Sequence, residues 1–117
     1  MVDTPLLNSH SVLRGFNPYL ASPGPEVDRA IHEQFFSGSG NVLPYSTDVS
    51  AAEKLRSRLK AMYKCPVLIG ETKTHPKKYF ARFDSGPSTA TEVLAETQAL
   101  AICRLALLIG LKRESGG

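Results

Sequence analysis

Apolar residues recur at three- and four-residue intervals in three stretches of this chain and alternate with polar ones in two others. Val27, Ala30, Ile31 and Phe35 lay an apolar stripe along a helix that begins near Pro25. Pro25 suits the first helical turn, Glu26 and Asp28 complement the positive end of the helix dipole, and Ser37-Gly38-Ser39-Gly40-Asn41 ends the helix. Leu43 is kept extended by the following Pro44. A second helix then carries a buried stripe of Val49, Ala52, Leu55, Leu59 and Met62, with Asp48 placed as N-cap and Ser50 and Glu53 at capping-box spacing. Arg56, Lys60 and Lys64, four apart, share another face of it.

Two strands follow, Pro66 to Thr72 and Lys77 to Asp84, joined by a turn around Thr74-His75-Pro76. In the second strand Tyr79, Ala81 and Phe83 point one way, while Lys78, Phe80 and Arg82 point the other. Thr89 and Glu92 offer another capping box, which opens a long helix running to about Ile109, with Gly110 as its stop. From Leu100 to Leu111 that helix is apolar all round except at Arg104 and Gly110, so it is expected at the centre of the fold or in an oligomer interface. The fold class expected is α/β in the α+β sense: a small antiparallel sheet of three to four strands packed with three helices in a single domain. Residues 1–24, rich in Pro and Gly without a period, read as an N-terminal arm, 25–112 as the domain and 113–117 as a C-terminal tail.

Charge changes this picture more than composition does. The net charge is +3, but residues 1–53 carry two basic and six acidic side chains. From 54 to 82 there are nine basic residues (Lys54, Arg56, Arg58, Lys60, Lys64, Lys73, Lys77, Lys78, Arg82) against one acid, Glu71. Such a stretch favours an anionic partner, or is a solvated helix face beside a lysine-guarded hairpin. Cys65 and Cys103 stand without a CxxC pattern and read as reduced, apolar-like residues. No apolar run reaches membrane-spanning length, and the first residues lack a basic-then-apolar leader pattern, so a cytoplasmic protein is expected.

Two blocks, Leu43-Pro44-Tyr45-Ser46-Thr47-Asp48 and Ala99-Leu100-Ala101-Ile102-Cys103-Arg104-Leu105-Ala106-Leu107, with Gly24-Pro25-Glu26-Val27-Asp28-Arg29-Ala30-Ile31 upstream, resemble the phage alpha-beta-alpha sandwich domain family over roughly residues 24–109. Where that family usually has a larger residue after the Ala-Ala of the second helix, this chain has Glu53. The resemblance extends to the first type of Thoeris anti-defence proteins, which sequester cyclic ADP-ribose isomers, and in some cases cyclic di- or trinucleotides, without cleaving them. It implies a phage or prophage protein that acts in the host cytoplasm as a homo-oligomer, a dimer or hexamer, with pockets between subunits and no cofactor.

A cyclic nucleotide needs cations or backbone amides for phosphate and an aromatic face for its base. Arg82 and Arg104 are the candidates for phosphate and Phe80 or Tyr79 for stacking, while Ser88, Thr89 and Thr91 offer hydroxyl and amide donors at a helix start. Each also has a plain structural role: at least one of Tyr79 and Phe80 must be core, and Arg104 can pair with Glu96, Glu92 or a backbone carbonyl. The second reading is a nucleic-acid or host-protein binder that uses the Arg56–Lys60–Lys64 face with Lys73, Lys77 and Lys78. Catalysis has less to stand on. His10, His32 and His75 lack metal-cage spacing, and no nucleophile–base–orienter set is evident.

Overall fold

The computed structural model describes residues 17–36, 40–64, 66–83 and 91–116. Among these residues, three helices and three strands form an α+β domain in the order α1 (Pro25–Phe36), α2 (Val49–Tyr63), β1 (Val67–Glu71), β2 (Tyr79–Phe83), β3 (Thr91–Ala95) and α3 (Gln98–Gly116). The sheet is antiparallel in the order β1-β2-β3.

Register follows from which residues need cover. Ile69, Ala81 and Val93 lie side by side, as do Val67 and Phe83, and Tyr79 and Ala95. This set faces the helices, and Val67, Ala81, Phe83, Val93 and Ala95 are buried. α3 packs on β2 and β3, and α1 and α2 pack on α3. The apolar all-round character of α3 is thereby accounted for within one chain: from Ala99 to Ile109 every residue except Arg104 is buried.

The helix starts differ from expectation in one place. The chain from Thr91 to Ala95 is a strand, and α3 begins only at Gln98. Thr97 is its cap, with Oγ1 accepting the Leu100 N–H at 3.1 Å. The proposed Thr89 cap lies outside the described residues, but Glu92, its expected partner, is in β3. Gly110 does not stop α3 either; it is buried in mid-helix, and the segment assigned to a tail is helical to Gly116. Leu111-Lys112-Arg113-Glu114 are all good helix formers, which is enough to carry the helix past a single glycine.

α2 starts at the Asp48 cap, whose carboxylate accepts the Ser50 N–H at 3.3 Å. Glu53 does not close a capping box. It accepts from Arg56, one turn on, and from the Gln98 amide at the start of α3. The inner face is Ala51, Ala52, Leu55 and Leu59; Val49 and Met62, placed in the stripe by spacing, are exposed, and at the C-terminal end Tyr63 meets the sheet instead, edge-on to Phe83.

The Tyr45-Ser46 block holds α1 onto this core through buried polar contacts. Asp28, buried, accepts the Ser46 N–H at 2.8 Å, and the Ser46 Oγ accepts the Gly24 N–H at 2.9 Å, which fixes the entry to α1. The Tyr45 hydroxyl lies 2.9 Å from His32 Nδ1, and the His32, Phe36 and Tyr45 rings stack, with Phe36 and Tyr45 centroids 5.4 Å apart. Asp28, in the first turn of α1 as expected, therefore also anchors the turn before α2.

Cys103 faces this cluster from α3. Burial pushes its thiol well above the usual range, and the Asp28 charge adds to the effect. Burial likewise raises the Tyr45 phenol. An acid whose pKa is raised by folding contributes stability that is present below its unfolded pKa and lost as pH rises beyond it. Stability should therefore fall from about pH 8.5 upward. Urea midpoints taken between pH 7 and pH 10 should show that limb, flatter in Cys103→Ala, and the native thiol should resist alkylation until the protein unfolds. Cys65 lies outside the described residues.

Candidate functional site

With every described helix on one side, the other face of the sheet is bare among the described residues. Its side chains form three cross-strand rows set by the register: Leu68, Arg82 and Glu92; Gly70, Phe80 and Leu94; and Lys78 with Glu96. Leu68 and Leu94 are each 46% exposed, far from the usual fate of a leucine on a sheet. Phe80 is half-buried because its ring lies over Gly70, where a Cβ would collide with it.

At the outer edge of β3 this face turns into a concavity of about 450 Å³ lined by Tyr19, Leu20, Lys78, Glu92, Leu94, Glu96 and Arg104. Arg104 reaches it from α3. Its side chain is 11% exposed and spans three elements: Nε donates to Ala21 O at 3.0 Å, Nη1 to Leu94 O at 2.9 Å, and Nη2 lies 3.8 Å from Glu96 Oε1. Lys78 Nζ is 3.6 Å from the other Glu96 oxygen. The Glu96 carboxyl is held below its usual range by its own backbone N–H first, and then by Arg104 and Lys78.

This geometry sorts the residues singled out by sequence. Arg104 and Lys78 meet in the concavity; Phe80 and Arg82 lie on the adjoining open face; Tyr79 is on the opposite face, half-buried against the core. Tyr79 is therefore not available for stacking on the same side as Phe80, as strand alternation requires. Thr91 opens a strand, not a helix, so the helix-start donors expected of it are not there. Ser88 and Thr89, with the Thr91 side chain, lie outside the described residues. Arg104 keeps the structural partners that its sequence allowed, Glu96 and two backbone carbonyls, and these occupy much of its donor capacity.

Tyr19 and Leu20 were not anticipated as lining residues. Their signal was faint: exposed apolar side chains in a Pro-rich segment, brought to the site because Ala21 O is taken by Arg104.

The basic stretch is divided by the fold. Lys77 pairs with Glu71 at 3.2 Å and Lys78 with Glu96, while Arg82 stands opposite Glu92. Of the α2 cations, Arg56 and Arg58 each donate through Nε to a backbone carbonyl, of Val67 at the start of β1 and of Phe35 in α1 respectively, while Lys54 and Lys60 are exposed. Among the described residues no group of three His, Cys, Asp or Glu side chains is placed to hold a metal ion, and no helix is long and apolar enough to cross a membrane.

No protein-family model matches the chain, and no curated protein matches it. Among solved structures, the fold is similar to that of a phage protein from Bacillus cereus ATCC 14579, with a TM-score of 0.60 and 21% sequence identity. The similarity covers 82% of this chain and 96% of the other. At that identity the likeness is one of fold.

Proposed function

We propose that this is a phage protein that binds and sequesters a nucleotide-derived signal, a cyclic ADP-ribose isomer or a cyclic oligonucleotide, at the outer edge of β3 without cleaving it. The observation that supports the reading is the convergence of Arg104, Lys78 and Tyr19 on one concavity that adjoins Phe80 and Leu94. Phosphate oxygens replace the Glu96 carboxylate on Lys78 and on the Arg104 N–H groups left over from the carbonyls; the Glu96 side chain, 63% exposed, is free to swing aside. The base lies on the Phe80–Leu94 row, with Arg82 beside it for a second phosphate and the Glu92 carboxylate to accept from ribose hydroxyls or a base amine. The likeness to a phage protein fits this setting.

Binding, and not turnover, suits the groups present. The concavity offers donors and a platform, but its Glu96 carboxylate is paired with Lys78 and Arg104, and there is no histidine or cysteine among its described lining residues.

Thermal unfolding against a panel of cyclic ADP-ribose isomers and cyclic oligonucleotides tests this. A ligand at ~100 times its dissociation constant adds about 2.7 kcal/mol and raises the midpoint by several degrees. The expected result is a shift with one ligand class, with that ligand recovered intact. Recovery of an altered ligand, or no shift with any of them, would overturn the proposal.

A further inference from the structure

We infer that a second surface, the groove between the C-terminal half of α2 and the start of β1, docks an acidic segment of another protein through an apolar anchor. This groove lies away from the β3 edge and shares no lining residue with it. Its wider part, of about 510 Å³, is lined by Ser57, Lys60, Ala61, Lys64 and Pro66. It continues past Val67 to Arg56 and Glu53.

The chemistry of the occupant follows from how charge and apolar surface are laid out. Lys60 and Lys64 are exposed and one helical turn apart, and neither ammonium is held by a carboxylate in an ion pair of 4 Å or less among the described residues. At about 1.5 Å of rise per residue, Arg56, Lys60 and Lys64 set positive charge every ~6 Å over ~12 Å. Lys64 also closes α2 in a left-handed conformation, φ 57° and ψ 37°, which turns the chain so that Pro66 forms the opposite wall. Between these cations the surface is mostly apolar, formed by Ala61, the Pro66 ring and the lysine stems with the Ser57 hydroxyl at one side, and it suits an apolar side chain.

A nucleic acid fits this layout less well. Duplex binding draws on roughly 6–10 phosphate contacts, and ~12 Å of positive groove supplies two or three. The groove also ends on a carboxylate, Glu53, held 3.3 Å from Arg56, where a continuing phosphate backbone would meet like charge. Among the described residues no aromatic side chain lines it for base stacking. A peptide bearing two or three carboxylates around a leucine or phenylalanine satisfies the cations and the apolar surface together, and can place an N–H or a basic group near Glu53.

The test is a fluorescence-anisotropy titration of the full chain with a short labelled peptide of alternating acidic and leucine residues, run beside its Asn/Gln counterpart and a duplex DNA. Binding of the acidic peptide is expected, at least about tenfold weaker for the amide counterpart and for the double variant Lys60→Glu/Lys64→Glu, and weakened by salt. Both lysines are exposed, so the variant should stay folded, with a midpoint lowered only by the charge reversal at the end of α2, and should keep any shift caused by a nucleotide ligand, which separates this surface from the β3 edge. Acidic-peptide binding that is absent, or unaltered in the double variant, would overturn the inference. So would duplex DNA binding more tightly than the peptide and being lost in the same variant.

Discussion

Tyr45→Ala is expected to be the most damaging substitution away from α3, lowering stability by about 3–5 kcal/mol in urea unfolding. Tyr45 is 1% exposed, stacks on Phe36 and His32, and is the point where the turn before α2 meets α1. Removing the ring leaves a cavity between α1 and α3 and strips His32 of its 2.9 Å partner, so transfer, cavity and polar costs add. Tyr45→Phe separates them. It keeps the stack and removes only the hydroxyl, and should cost about 1 kcal/mol. If the two variants were equally destabilised, the ring stack would contribute nothing and the account of this junction would fail.

Arg104→Ala should cost roughly 2–4 kcal/mol, an unusual figure for a residue that sequence alone could equally have given to a ligand. Two carbonyls, Ala21 O and Leu94 O, lose a charged donor, and residues 17–21 lose their tie to α3. Lysine should not restore them. One ammonium cannot span the two carbonyls that the guanidinium fork reaches through Nε and Nη1. Chemical denaturation with limited proteolysis near residues 17–21 reads both effects: lowered stability and earlier cleavage are expected for Ala and Lys alike. Full stability in Arg104→Lys would mean that charge, and not the fork, holds the segment. Loss of ligand binding in Arg104→Ala would thus be ambiguous, whereas Lys78, on the open side of the sheet, can be changed with little structural cost, and Phe80, half-buried over Gly70, at a cost of about 1 kcal/mol.

How much of this was legible from the sequence depended on whether the signal was local. α1 was, because Pro25 and the Val27–Ile31–Phe35 spacing act within one helix. β1 and β2 were, through alternation. β3 was hidden: Glu92-Val93-Leu94-Ala95 does alternate in burial, but Leu94 sits on the open face, so the period-2 pattern is blurred and merges with the apolar run of α3. The Thr89–Glu92 spacing then imitated a cap, while the working cap was Thr97.

The buried polar contacts were missed for the opposite reason. Asp28 with Ser46, and His32 with Tyr45, join residues eighteen and thirteen apart. A hint existed, since Asp28 and His32, four apart, fall inside the apolar arc of α1, where two polar residues are costly unless partnered. For the site, alternation places Phe80 and Arg82 together, yet no local rule brings Tyr19 or Arg104 to the edge of β3. That meeting depends on the whole fold.

The most direct test of the binding account is an equilibrium titration of the nucleotide ligand found by thermal shift against wild type, Lys78→Ala and Phe80→Ala. Wild type should bind with a fixed stoichiometry, and each variant, still folded in the absence of ligand though with a lowered midpoint for Phe80→Ala, should bind at least about tenfold more weakly, the loss of one charged contact or one stacked base. Binding undiminished in both variants would contradict the assignment of the ligand to the β3 edge.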